Sequence, residues 1–215
     1  MTELIFFEKH YLSAKIKAAN NKNMQIEYEA TFINIDKDEM REKLKSAGAS
    51  LIKPEFLQKR VVFNLPSGHE IKNGYLRVRD EADKITMSLK IMDGKKIEDQ
   101  KELCLEINNF NDGVELLKMI GCDRKAYQET KRELWTLDNV EITIDEWPFL
   151  EPFVEVEGGS EEAVKKISEL LGFDYSQALF CGVDTLYNLK YGVSKDSINN
   201  EIKEVIFGGE NPFKY

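Results

Sequence analysis

Met24-Gln25-Ile26-Glu27-Tyr28-Glu29-Ala30-Thr31-Phe32 alternates without a break. Read as a strand, it sends Ile26, Tyr28, Ala30 and Phe32 to one face and Glu27, Glu29 and Thr31 to the other, because successive side chains of an extended chain point in opposite directions. The first face asks for a core. The second raises the question of what a row of carboxylates meets: water, as on an ordinary half-buried sheet, or charges supplied by other strands.

The same design recurs along the chain. In Tyr75-Leu76-Arg77-Val78-Arg79 the two arginines share a face with Tyr75, and in Ile85-Thr86-Met87-Ser88-Leu89-Lys90 the polar face carries Thr86, Ser88 and Lys90. Glu102-Leu103-Cys104-Leu105-Glu106-Ile107, Val140-Glu141-Ile142-Thr143-Ile144-Asp145 and Phe153-Val154-Glu155-Val156-Glu157 follow the same rule. Strands are predicted over about 24–34, 55–65, 74–80, 84–92, 101–108, 125–137, 139–146 and 152–157, with Asp138-Asn139 as a two-residue hairpin turn. Three amphipathic helices stop at glycine. Asp36 and Glu39 form a capping box for a helix carrying Met40 and Leu44 and ending at Gly48. A second runs from Asn111 to Ile120 before Gly121. The third starts at Ser160, places Glu161 and Glu162 in its first turn, carries Val164, Ile167, Leu170 and Leu171, and ends at Gly172. Eight strands mostly in hairpin order, with a few helices, predict an α+β protein whose sheet can curl and close. A closed antiparallel barrel, apolar outward under covering helices and charged inward, satisfies every strand at once. Solvated outer faces are the other arrangement this pattern allows.

Composition bounds the function. At 215 residues, 42% hydrophobic and 32% charged, the chain can bury the core of one large domain. A net charge of -9 argues against nucleic-acid binding, so any anionic ligand must meet a local basic patch. No apolar run approaches the roughly 18 residues that span a bilayer, and no secretory signal pattern opens the chain, so no membrane partner and a cytoplasmic location are expected. Cys104, Cys122 and Cys181 are odd in number and set among apolar residues, as reduced core thiols are. His10 and His69 sit in unrelated contexts. Charges turned inward would cost several kcal/mol each if left unpaired. Carboxylates facing guanidinium and ammonium groups make chemical sense around a divalent cation and a polyphosphate.

Glu27-x-Glu29, Tyr75-Leu76-Arg77-Val78-Arg79, Ile85-Thr86-Met87-Ser88-Leu89-Lys90, Arg132 before Trp135, Ile142-Thr143-Ile144-Asp145 and Phe153-Val154-Glu155-Val156-Glu157-Gly158 together resemble the CYTH family, the triphosphate tunnel metalloenzymes, over about residues 24–190. The resemblance implies a closed eight-stranded antiparallel barrel, the triphosphate tunnel. It implies a phosphohydrolase acting on inorganic or organic triphosphates, with Mg²⁺ or Mn²⁺ as cofactor and tripolyphosphate, thiamine triphosphate or ATP as the small-molecule partner. A class IV adenylyl cyclase and a triphosphate-binding module with little turnover are the alternatives. Carried onto this chain, it assigns Glu27, Glu29, Glu155 and Glu157 to the metal, with Asp145 as a further ligand or an aid to the attacking oxygen. Arg77, Arg79, Lys90 and Arg132 would hold the triphosphate, and Asp145, Arg132 and Lys90 would act in catalysis. Glu102 and Glu106 match the family's acidic fifth strand more loosely, and Lys101 enters only if the register there slips by one. Two departures stand out: Thr31 occupies the position of the family's first-strand lysine, and Thr130 that of the lysine two residues before Arg132, with Lys131 on the opposite parity. The expected domains are an N-terminal helical extension (1–22) rich in Leu4, Ile5, Phe6, Phe7, Tyr11, Leu12 and Ile16, a tunnel domain (23–192), and a C-terminal helical tail (193–215) capped by Ser194. Either extension could cover the barrel or join two copies as a homodimer.

Overall fold

The stretch beginning at Met24 becomes the closing strand of a barrel. In the computed structural model, which describes residues 24–92 and 96–214, it forms β1 (Gln25–Ile26) and β2 (Tyr28–Phe32). The expected extension over 1–22 lies outside the described residues. The seven strands that follow are β3 (Ser50–Phe63), β4 (Gly74–Asp80), β5 (Ile85–Met92), β6 (Gln100–Ile107), β7 (Arg124–Leu137), β8 (Val140–Glu146) and β9 (Phe153–Gly158). They lie in the order β1-β6-β5-β4-β3-β7-β8-β9-β2, each pair antiparallel. The ring closes because β1 pairs with one end of this order and β2 with the other. Glu27 sits where the partner changes: its N–H donates to the Gln100 carbonyl at 3.0 Å, and Gln100 Nε2 donates to the Glu29 carbonyl at 3.0 Å. Taken as one interrupted strand, β1 and β2 make the expected eight; taken apart they make nine. A further short strand, β10 (Glu204–Val205), pairs in parallel with β7.

Turn chemistry sets the connections. Asp138 and Asn139 have φ of 51° and 62°, both left-handed, as a two-residue turn matching the twist of β7 and β8 requires. Strand β3 begins at Ser50, well before the expected 55. Pro54 has no N–H to give, and the ladder with β7 takes up the defect through register shifts between Leu51 and Lys53 and between Lys53 and Phe56.

The outward faces form the core. Helix α1 (Lys37–Ser46) is capped by Asp36, which accepts from the N–H groups of Asp38 and Glu39 at 2.9 Å. Helix α2 (Phe110–Met119) starts under Asn109, and α3 (Glu161–Leu170) under Ser160. Met40 and Leu44 of α1 with Val164, Ile167 and Leu171 of the α3 segment meet Ala30, Ile142, Ile144, Val154 and Val156 on the outside of β2, β8 and β9. Each such side chain contributes about 1.5–3 kcal/mol through burial. Leu117 of α2 joins Val61, Phe63, Val78 and Cys122 on the outside of β3 and β4. Gly113 lets α2 approach this closely, since a Cβ there would meet Ile107 Cδ1 at 2.5 Å.

A third cluster belongs to the C-terminal segment. Helices α4 (Val183–Tyr191) and α5 (Lys195–Asn200) and the returning strand β10 pack Leu186, Tyr187, Ile202, Val205 and Phe213 against Trp147 and Phe153. Tyr187 and Phe213 stack at 3.9 Å, and the Tyr187 hydroxyl donates to the Pro148 carbonyl at 2.8 Å. Ser194 caps α5 as expected, yet past Gly192 the tail is helical only over Lys195–Asn200. The cysteine expectation needs correction as well. Cys122 is buried, but Cys104 is exposed and Cys181 half-buried; β6 is open on both faces around Cys104, where Leu103 and Leu105 are exposed too.

Candidate active site

Inside the ring, alternation gathers the charged faces of the strands around one cavity of about 1480 Å³. Glu27, Glu29, Arg77, Arg79, Lys90, Glu102, Arg132, Glu155 and Glu157 all line it. The row of carboxylates therefore faces a cavity whose other side carries cations. Around the ring the charges segregate. Lys90 on β5, Arg77 and Arg79 on β4, and Arg132 on β7 occupy one side. Glu27 and Glu29 on the closing strand and Glu155 and Glu157 on β9 occupy the other, where Glu29 lies directly across from Glu157 and Thr31 from Glu155.

Ion pairs join the two sides. Lys90 Nζ lies 2.9 Å from Glu27 Oε2, and Arg77 Nη2 donates to Glu102 Oε1 at 2.9 Å. Arg79 Nη2 lies 2.7 Å from Glu81 Oε1. Arg132 Nε donates to Asp145 Oδ1 at 2.7 Å, its Nη2 pairs with the second Asp145 oxygen, and the same Nη2 reaches Glu155 Oε2 at 2.5 Å. Asp145 is wholly buried and clasped by Arg132, with the Thr143 hydroxyl donating to it at 3.3 Å. Asp145 thus orients Arg132 from behind, with Glu155 as its acidic neighbour on the same guanidinium. Glu102 points into the cavity opposite Lys90, whereas Lys101 pairs with Ile91 on the other parity, so no register slip occurs. Glu106, opposite Thr86, is exposed.

The glutamates repel one another. Burial, with Glu155, Glu157 and Glu27 nearby, pushes Glu29 well above the usual carboxylate range. Burial pushes Glu27 up to about 7 despite Lys90, with Glu102 beside it raising it further, while Arg77 holds Glu102 below its ordinary value against burial. Glu157 is raised by burial also; Glu155 is held below its ordinary value because Arg132 and Lys90 outweigh burial. Burial lifts Asp145 to about 6 against the pull of Arg132. In return Glu29 and Glu27 keep Lys90 firmly protonated in spite of its burial. Among the described residues no three acidic side chains converge closely enough to hold a metal ion as they stand. The donor set nevertheless fits a hard divalent cation, being all carboxylate oxygen, and such a charge would offset the burial and repulsion that raise Glu27, Glu29 and Glu157.

The CYTH domain model matches residues 25–184, most of the chain and the whole ring of charged strands. The chain belongs to the CYTH domain family. No curated protein matches it. Among solved structures, this CYTH protein is similar to a conserved hypothetical protein of Pyrococcus furiosus at 21% identity and TM-score 0.61, covering 73% of this chain and 96% of that one. A Pyrococcus horikoshii protein matches at 24% identity and TM-score 0.59 over 73% and 96% of the two chains. A candidate adenylate cyclase from Vibrio parahaemolyticus matches at 11% identity and TM-score 0.64 over 75% and 97%. At these identities the likeness is one of fold. No helix among the described residues is long and apolar enough to cross a membrane.

Among the cavity residues that escaped the sequence reading, one completes the basic arc. Arg60 on β3 is 5% exposed, lies directly across from Arg79, and donates through Nη2 to Thr130 Oγ1 at 2.6 Å and Gln58 Oε1 at 2.9 Å. A guanidinium therefore stands beside Thr130, where a lysine was expected and missing. Thr31 is 2% exposed and its backbone pairs with Leu179.

Proposed function

We propose that this CYTH protein is a divalent-metal-dependent phosphohydrolase that takes a linear triphosphate, inorganic or organic, into the cavity of the barrel. One observation carries the reading: a row of crowded glutamates faces a row of cations across a cavity of about 1480 Å³, an arrangement that a bound cation and a polyphosphate would neutralise together. Arg77, Arg79, Lys90 and Arg132 would hold the phosphate oxygens, exchanging part of their pairing with Glu102, Glu81, Glu27 and Glu155 for the ligand. Asp145 would keep the Arg132 fork in its orientation. Glu27, Glu29, Glu155 and Glu157 would hold Mg²⁺ or Mn²⁺, and the chemistry that ion supplies is neutralisation of charge on the phosphate oxygens.

A product assay with tripolyphosphate, thiamine triphosphate and ATP tests the activity, scoring orthophosphate, pyrophosphate and cyclic AMP separately with and without Mn²⁺. Metal-dependent orthophosphate is expected. Cyclic AMP as the main product would replace the hydrolase with a cyclase, and binding without any product would leave a triphosphate-binding module. Calorimetric Mn²⁺ titration of Glu27→Gln/Glu29→Gln with tripolyphosphate present should show metal uptake lost. Undiminished uptake would remove the metal from this wall.

A further inference from the structure

Arg60 differs from the other arginines of the cavity and from Lys90. Arg77, Arg79, Lys90 and Arg132 each have a carboxylate oxygen within 2.9 Å. Among the described residues Arg60 has none within ion-pair distance; its Nη2 meets only the neutral oxygens of Thr130 and Gln58, and its guanidinium lies over the Trp147 ring at 4.5 Å. Its Nε and the neighbouring Gln58 Nε2 are buried donors without a partner. A buried, permanently charged group with neutral partners and two idle donors beside it is costly unless an anion completes it. Its place in the ring fits that role. The strand order β5-β4-β3-β7 puts Arg60 between the arginines of β4 and Arg132 on β7, so it fills what would otherwise be a neutral gap in the basic arc.

We infer that Arg60, with Gln58 and Thr130 beneath it and Trp147 at its back, forms a phosphoryl-anion subsite that receives one phosphate group of the bound polyphosphate. The inference rests on the proposed triphosphate reading and deepens it, by making β3 the source of a binding cation. Gln58 and Thr130 are positioning residues: their oxygens accept both contacts of Nη2 and leave the remaining guanidinium donors for the ligand.

Thermal unfolding and calorimetric binding of wild type, Arg60→Gln and Arg60→Lys, in buffer free of phosphate and sulfate, test it with two probes, inorganic phosphate and tripolyphosphate. Without anion, Arg60→Gln should unfold at the same temperature as wild type or higher, because an unpaired buried charge has been removed. It should bind tripolyphosphate at least about tenfold more weakly, and Arg60→Lys should recover part of the loss. An anion-free unfolding temperature that drops, with tripolyphosphate affinity of the folded variant unchanged, would make Arg60 a structural partner of Trp147 and overturn the subsite while leaving the triphosphate reading intact. Wild type that binds neither probe would overturn both. Wild type that binds phosphate through Arg60 but not tripolyphosphate would uphold the subsite and overturn the triphosphate reading.

Discussion

On β9 and β2, burial and the crowding of Glu155, Glu157 and Glu29 raise Glu29 and Glu157, whereas on β5, β4 and β7 each of Lys90, Arg77, Arg79 and Arg132 is ion-paired with a carboxylate. The two walls arise from the same two-residue alternation. They differ in what completes them. The basic wall is already half satisfied by protein and gains from an anion, while the acidic wall is under repulsion and gains from a cation. A ligand carrying both charges, a metal-bound polyphosphate, matches the pair of walls better than either ion alone.

Removing the link between the walls should have the largest effect on stability. Arg132→Ala leaves the fully buried Asp145 without its partner and should cost about 3–5 kcal/mol, measured by urea unfolding, with Arg132→Met/Asp145→Leu recovering most of it. A loss below about 1 kcal/mol would mean that the walls are independent. Next in size, Arg77→Ala and Arg79→Ala should each weaken tripolyphosphate binding by about 1.5–3 kcal/mol in calorimetry, with the fold retained. If both unfold, the basic wall is structural and the comparison fails.

The smallest effect is a pH dependence of the metal-free protein. Glu27 at about 7, and Glu29 well above its ordinary value, are raised groups. Their favourable contribution is complete below about pH 4.5 and is lost as pH rises through 7, since ionisation then charges a crowded wall. Glu102 is depressed, so its contribution is lost only in acid and does not act in this window. Stability should therefore fall by about 1–2 kcal/mol between pH 5 and 8, read as a lower unfolding temperature. Glu27→Gln should flatten the slope. A slope of opposite sign would show that the acidic wall is not repulsive.

Much of this was legible in the sequence. The strands, the Asp36 and Ser160 caps and the Asp138-Asn139 turn follow from local rules, because alternation, capping oxygens and left-handed turn residues each act over a few positions; the Asn109 cap, two residues before the expected start at Asn111, was not read. The stretch around Pro54 was not legible, since the ladder absorbs a missing N–H through bulges that depend on its partner strand. Arg60 was missed for a related reason. In Gln58-Lys59-Arg60-Val61-Val62 charges fall on both parities and apolar residues are adjacent, so the run does not say which face turns inward. Cys104 was misread because its apolar neighbours, Leu103 and Leu105, are themselves exposed on β6 and so are no sign of a core.

By itself the sequence determined which residues share a strand face, where helices start and stop, and that carboxylates and arginines lie on different strands. Only the tertiary structure decided that those faces look at each other. A two-residue period is the same for a sheet with a wet outer face and for a ring with a charged interior, and the choice rests on long-range pairing: β1 joining β6 and β2 joining β9 on either side of Glu27. The same closure decided that Asp145 grips Arg132, and that Arg60 stands unpaired between Arg79 and Thr130, because partners on separate strands are set by register around the ring and not by spacing along the chain.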